Sequence, residues 1–111
     1  MKVEFINPGQ LRHEVALESP ALTPDGLGGY TENWVETATV FARIEPMGTT
    51  SRFGAGQTRE VASHRITIRH RSDVASGMRF SANGRIFAIL TVSDPDETGR
   101  YLVCRTREDG L

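Results

Sequence analysis

Three histidines, one cysteine, a run of arginines and an acidic turn are the residues of this chain best equipped for chemistry. His64 and His70 flank the stretch Ser63-His64-Arg65-Ile66-Thr67-Ile68-Arg69-His70-Arg71. As an extended strand it holds the two imidazoles about 20 Å apart, too far to share one ion. His13 is remote in sequence, and the chain has no CxxC, HExxH or carboxylate–histidine cluster, so no metal site is expected. The simpler reading is that each histidine closes one end of an inward strand face, half-buried and hydrogen-bonded. Cys104 is the only cysteine and forms no intrachain disulfide; nothing around it marks an activated thiol. No serine sits in a GxSxG elbow. Gly26, Gly28 and Gly29 precede no helix and make no phosphate loop. Neither catalytic residues nor a cofactor site are expected.

The arginines invite three readings. Alternation puts His64, Ile66, Ile68 and His70 on one face of the strand and Arg65, Thr67, Arg69 and Arg71 on the other. That second face is solvated, or it meets a carboxylate surface through the arginine fork, or it meets phosphates. A net charge of −1 argues against a duplex-DNA binder driven by bulk electrostatics. The strand also lacks the interleaved aromatics of a single-strand binder. Asp94, Asp96 and Glu97, in the turn SDPDETG, lack EF-hand spacing and read as a solvated turn. They also supply an acidic counterpart to Arg65, Arg69 and Arg71, should copies of the chain meet head to tail.

The elements that must position these residues are strands. With 111 residues and 38% hydrophobic content, one domain with a modest core is expected. Short alternating runs separated by Gly, Pro, Asn and Asp predict an all-β fold, a small antiparallel β-barrel or sandwich of about six to seven strands with long loops. Strands are expected over His13 to Glu18, Tyr30 to Glu36, Thr39 to Glu45 and the arginine stretch. Further ones follow over Met78 to Ala82, Arg85 to Val92 and Tyr101 to Arg107. Asn83-Gly84 is a hairpin turn, because both residues tolerate positive φ. Ser19 to Gly29, rich in breakers, reads as a loop. In Arg85 to Val92, Ile86, Ala88, Leu90 and Val92 share one face and Phe87 and Ile89 the other, which predicts burial on both sides by core or by a neighbouring subunit. Met47 to Arg59 has no period beyond a short helical turn fitted to Ser51–Ala55; long loops of this kind tend to be functional or mobile. No run approaches 18 apolar residues and the first 25 lack a signal-peptide core, so neither membrane insertion nor secretion by signal peptide is expected.

Several landmarks recur in order: Gly9-x-Leu11-Arg12-His13, Asp25-x-x-Gly28-Gly29 before Trp34, Ala42-x-Ile44-Glu45-Pro46 and Ala55-x-Gln57. They continue with His64-Arg65-x-x-Ile68-Arg69, Gly77-Met78-Arg79-Phe80 and Gly84-Arg85-x-Phe87-x-Ile89. In order and spacing, from about Gly9 to Glu108, the chain resembles the phage head–tail joining family. These are the head-closure or stopper proteins of long-tailed phages and phage-like gene transfer agents. It departs from that pattern at Arg71, where the family often carries an aromatic.

The resemblance implies a small β-barrel, made in the host cytoplasm and mounted in the neck of a phage-like particle. It implies a structural rather than enzymatic role, in a cyclic homo-oligomer of six or twelve copies. The expected partners are the adaptor or portal ring, the tail terminator or tail tube, and double-stranded DNA passing through the channel. It also implies that one loop projects toward the channel and closes it: Met47, Gly48, Thr49, Thr50, Ser51, Arg52, Phe53, Gly54, Ala55, Gly56, Gln57, Thr58 and Arg59. Phe53 would give contact area where loops converge, or tuck back onto its own barrel; Arg52 and Arg59 would meet phosphate or solvent. Arg65, Arg69 and Arg71, with Asp94, Asp96 and Glu97, are then candidates for the contact between subunits. An OB-like nucleic-acid-binding module and a tail-terminator ring protein are the alternatives.

Overall fold

Six antiparallel strands close into a barrel in the computed structural model, which describes residues 6–47 and 62–109. A 3-10 turn at Pro8–Gln10 precedes β1 (His13–Pro24), β2 (Tyr30–Pro46), β3 (His64–Arg69), β4 (Arg79–Ala82), β5 (Arg85–Ser93) and β6 (Tyr101–Glu108). Their order around the barrel is β1-β2-β3-β6-β5-β4. β4 returns to β1 through Ala16↔Ser81, Leu17↔Phe80 and Glu18↔Arg79. The expected all-β barrel is what forms, and closure leaves no open edge along its wall.

Period-two alternation builds the core. Val15 and Leu17 from β1, Ala42 from β2, Ile66 and Ile68 from β3, and Phe80 from β4 meet Phe87 and Ile89 of β5 and Leu102 and Cys104 of β6. β5 carries a bulge: Ile89 faces Thr106 while Thr91 faces Arg105, which leaves Leu90 without a partner. A one-residue slip exchanges the two faces of a strand. Val92 therefore packs against the core with Phe87 and Ile89, rather than sharing a face with Ile86 and Ala88. Ile86, Ala88 and Leu90 remain half-buried. Asn83 (φ 51°) and Gly84 (φ 79°) make the expected tight turn between β4 and β5.

Two expectations need correction. Ser19 to Pro24 is strand, not loop: β1 runs on and pairs with β2 from Ser19↔Val35 to Pro24↔Tyr30. β2 is continuous as well, so the two strands leave the barrel as a two-stranded arm. At its base Leu17 faces Ala38 and Glu18 faces Glu36, which makes Thr37 the extra residue of a bulge. Bulges bend a strand and increase its twist, so the arm departs there. The prolines read as breakers, Pro20 and Pro24, sit on the open edge of this ribbon, where a missing N–H costs no ladder bond. The histidines also do not behave alike. His64 points inward and is buried, whereas His13 and His70 are exposed. β3 ends at Arg69, and the His70 N–H donates to Arg100 O.

Candidate assembly surfaces

The arginine side of β3 is not one cationic face. Arg65 lies opposite Glu45 in register and donates through Nε and Nη2 to its carboxylate at 3.3 and 3.4 Å. Arg43 reaches the same carboxylate at 3.1 Å. Arg71, beyond the strand, makes a forked pair with Asp73 at 2.9 and 2.8 Å, and these hydrogen bonds hold the Asp73 carboxyl below its ordinary value. Thr67, between them in sequence, is buried. Arg69 is exposed and has no ion-pair partner among the described residues. One arginine of the three is left open.

The acidic turn after β5 is largely committed to its own shape. Asp96 is only 4% exposed. It accepts from Thr98 N–H at 3.2 Å, Thr98 Oγ1 at 2.6 Å and Arg100 Nη2 at 2.9 Å. The Thr98 hydroxyl, with Arg100 behind it, holds the Asp96 carboxyl below its ordinary value. Asp94 Oδ2 accepts from Gly99 N–H at 2.7 Å, while its Oδ1 is buried without a partner among the described residues. Glu97 is exposed, with φ at 59°. Of the three acids, Glu97 is the one facing outward. The pattern Asp96-x-Thr98 was the available signal, because aspartate readily bonds the backbone two residues on.

A polar cluster that the sequence did not disclose sits where β2, β3, β5 and β6 meet. Ser63 Oγ and His64 Nδ1 are hydrogen-bonded at 2.8 Å, and Glu108 N–H donates to the same Oγ at 2.8 Å. Arg85 donates to both oxygens of Glu108 at 2.7 and 3.0 Å, which holds that carboxyl below its ordinary value. The Arg85 guanidinium also covers the Phe87 ring at 4.9 Å, and His64 meets Phe87 edge-on at 5.1 Å. Ser63 Oγ is thus taken up by structure. The cluster secures the stem of the long excursion between β2 and β3: Met47 N–H donates to Ser63 O at 2.9 Å, and Ser63 N–H to Thr106 O at 2.7 Å. Met47 is half-buried; the rest of the expected channel loop, Gly48 to Arg59 with its helical turn at Ser51–Ala55, lies outside the described residues.

The arm and the barrel wall carry the exposed apolar groups. Register puts Pro20, Leu22 and Pro24 on one arm face with Tyr30, Glu32 and Trp34. Leu22 is 66% exposed and Tyr30 67%. Trp34 lies 4.1 Å over the guanidinium of Arg79, which in turn donates to Glu18 at 2.7 Å; that stack anchors the arm's root to β4. On the barrel wall Phe41, 56% exposed, borders a groove of about 230 Å³ lined by Val40, Arg69, His70 and Arg71.

The chain matches the phage head completion proteins over residues 6–109. It belongs to that family. A chain from the virion of a native gene transfer agent particle is 27% identical, with a TM-score of 0.63, covering 86% of this chain and 91% of that one. Protein SF1141 from Shigella flexneri 2a, known from a solution structure, is 24% identical with a TM-score of 0.72, over 95% and 98% of the two chains; that likeness speaks to the fold alone. Among curated proteins, none matches.

As a head completion protein, the chain is a structural component of a phage-type virion. Beyond its core, the six-strand barrel displays three features: the stem at one barrel end, the arm, and the groove beside Phe41. Family membership fits the order of landmarks in the sequence. It does not by itself assign Arg65, Arg69, Arg71 or the acidic turn to a contact.

Proposed function

We propose that this head completion protein is a stopper. Copies form a ring of six or twelve in the particle neck, between the portal or adaptor ring and the tail terminator or tail tube, and close the exit channel on double-stranded DNA. The carrying observation is its family together with its likeness, over most of its length, to a chain of a gene transfer agent virion. The architecture supports the reading in one respect. The strands that flank residues 48–61 meet at one end of the barrel, where Pro46 faces His64, so many copies about an axis would present their loops together. The role is mechanical, with no catalysis required.

The nucleic-acid-module reading loses ground on geometry, because Arg71 is paired with Asp73 and Arg65 is engaged, together with Arg43, by Glu45. Deleting residues 48–59 tests the stopper. The expected result is heads that keep the truncated chain at the neck yet lose packaged DNA. Heads that retain their DNA would overturn the stopper, and a chain imaged only on the tail side would make it a tail terminator.

A further inference from the structure

Resting on that ring reading, we propose that the arm of one copy seats its Leu22–Tyr30 face in the Phe41 groove of the next copy, with Glu32 meeting Arg69. The arm face is apolar and open on a chain whose other apolar side chains mostly face the core, and Leu22 and Tyr30 are each about two-thirds exposed. Glu32 lies directly across from Leu22 on that face. It is exposed and has no ion-pair partner among the described residues. The other acid near the tip, Asp25, is occupied, since its Oδ1 accepts from Leu27 and Gly29 N–H at 2.8 and 3.1 Å.

The groove is the complement of that face. Phe41 supplies the exposed apolar wall, and Val40, which packs against the core, borders it beside Arg69, His70 and Arg71. Arg71 is held by Asp73, so Arg69 is the arginine of this groove that has no ion-pair partner among the described residues. One open acid amid apolar groups matches one open base amid apolar groups. The volume of about 230 Å³ admits a single large side chain, given that a cavity of about 150 Å³ holds benzene. The arm cannot reach the groove of its own chain: Tyr30 and Phe41 lie on the same strand, about 35 Å apart at the usual rise. An arm seated in this groove therefore belongs to another copy, and two different surfaces in contact is the head-to-tail geometry that closes rings. The apolar contact supplies affinity, and the ion pair at its rim fixes register.

The test is oxidation of purified particles whose chain carries both Glu32→Cys and Arg69→Cys, run on non-reducing gels. Cys104 is buried and stays silent. The expected result is a ladder of disulfide-linked multimers of this chain, lost on reduction and absent from either single variant. Rings imaged at the neck without a ladder would overturn the arm seat and leave the ring intact. Absence of any ring would remove both, and cross-linking to a different virion protein would overturn the self-contact. In competition with the wild-type chain, Leu22→Asp, at a site whose exposure spares the barrel, should lower incorporation about tenfold, the scale of one interface anchor; equal incorporation would overturn the seat.

Discussion

Cys104 shows how a residue's chemistry is set by where its neighbours put it. Alternation along β6 turns it inward with Leu102 and Thr106, and it is fully buried. Loss of solvent raises its pKa to about 12, since burial disfavours the thiolate. The expected outcome is no reaction with a thiol-specific reagent at neutral pH in the folded protein, and one equivalent of reaction after denaturation. A native protein that reacts as fast as free cysteine would contradict the core position. The inert thiol was legible in the sequence. The Ser63–His64–Glu108–Arg85 cluster was not, because its members come from three separate segments and only the pairing of β6 with β3 and β5 brings them together.

At the scale of elements, turn chemistry carries its own test. Gly84 takes φ of +79°, and a Cβ built there meets nothing within 4 Å. Gly84→Ala should therefore destabilise through backbone strain alone, by about 1–2 kcal/mol, read as a shift in the urea midpoint at unchanged slope. Asn83-Gly84 was readable in advance because the φ requirement is local. The arm was misread for a related reason. Pro20, Leu22 and Pro24 do alternate with Ser19, Ala21 and Thr23, but proline weighs against a strand unless the strand is an edge, and edge status is a tertiary fact. The bulge in β5 was equally hidden, since a continuous apolar run does not say which residue is the extra one.

For the whole molecule, three carboxylates held by hydrogen bonds, one of them joining β5 to β6 through Arg85 and Glu108 and two closing local turns, set its response to acid. Glu108, Asp96 and Asp73 all have native pKa values below their ordinary ones of 4.5 and 3.8. Groups of this kind contribute stability that is complete above the unfolded pKa and is lost as pH falls through the depressed native value. Unfolding free energy should hold steady from neutral pH to about 5 and decline below that. In Glu108→Gln, which cannot ionise, the decline should be shallower. An identical acid profile for the variant would mean that the Arg85 pair contributes nothing in solution. The chain's length and turn-rich composition anticipated the barrel; how its charges pair across it became visible only in three dimensions.

The stem of the β2–β3 excursion has a mechanical corollary. Pro46 faces His64, Met47 is tied to Ser63 and Ser63 to Thr106, so a pull on residues 48–61 along the strand axes enters both strands together. β2 would have to slide past β1, and β3 past β6, with every ladder bond sharing the load in shear instead of parting one by one. A pull of this kind is thus borne by two ladders at once, in the direction in which a sheet yields last.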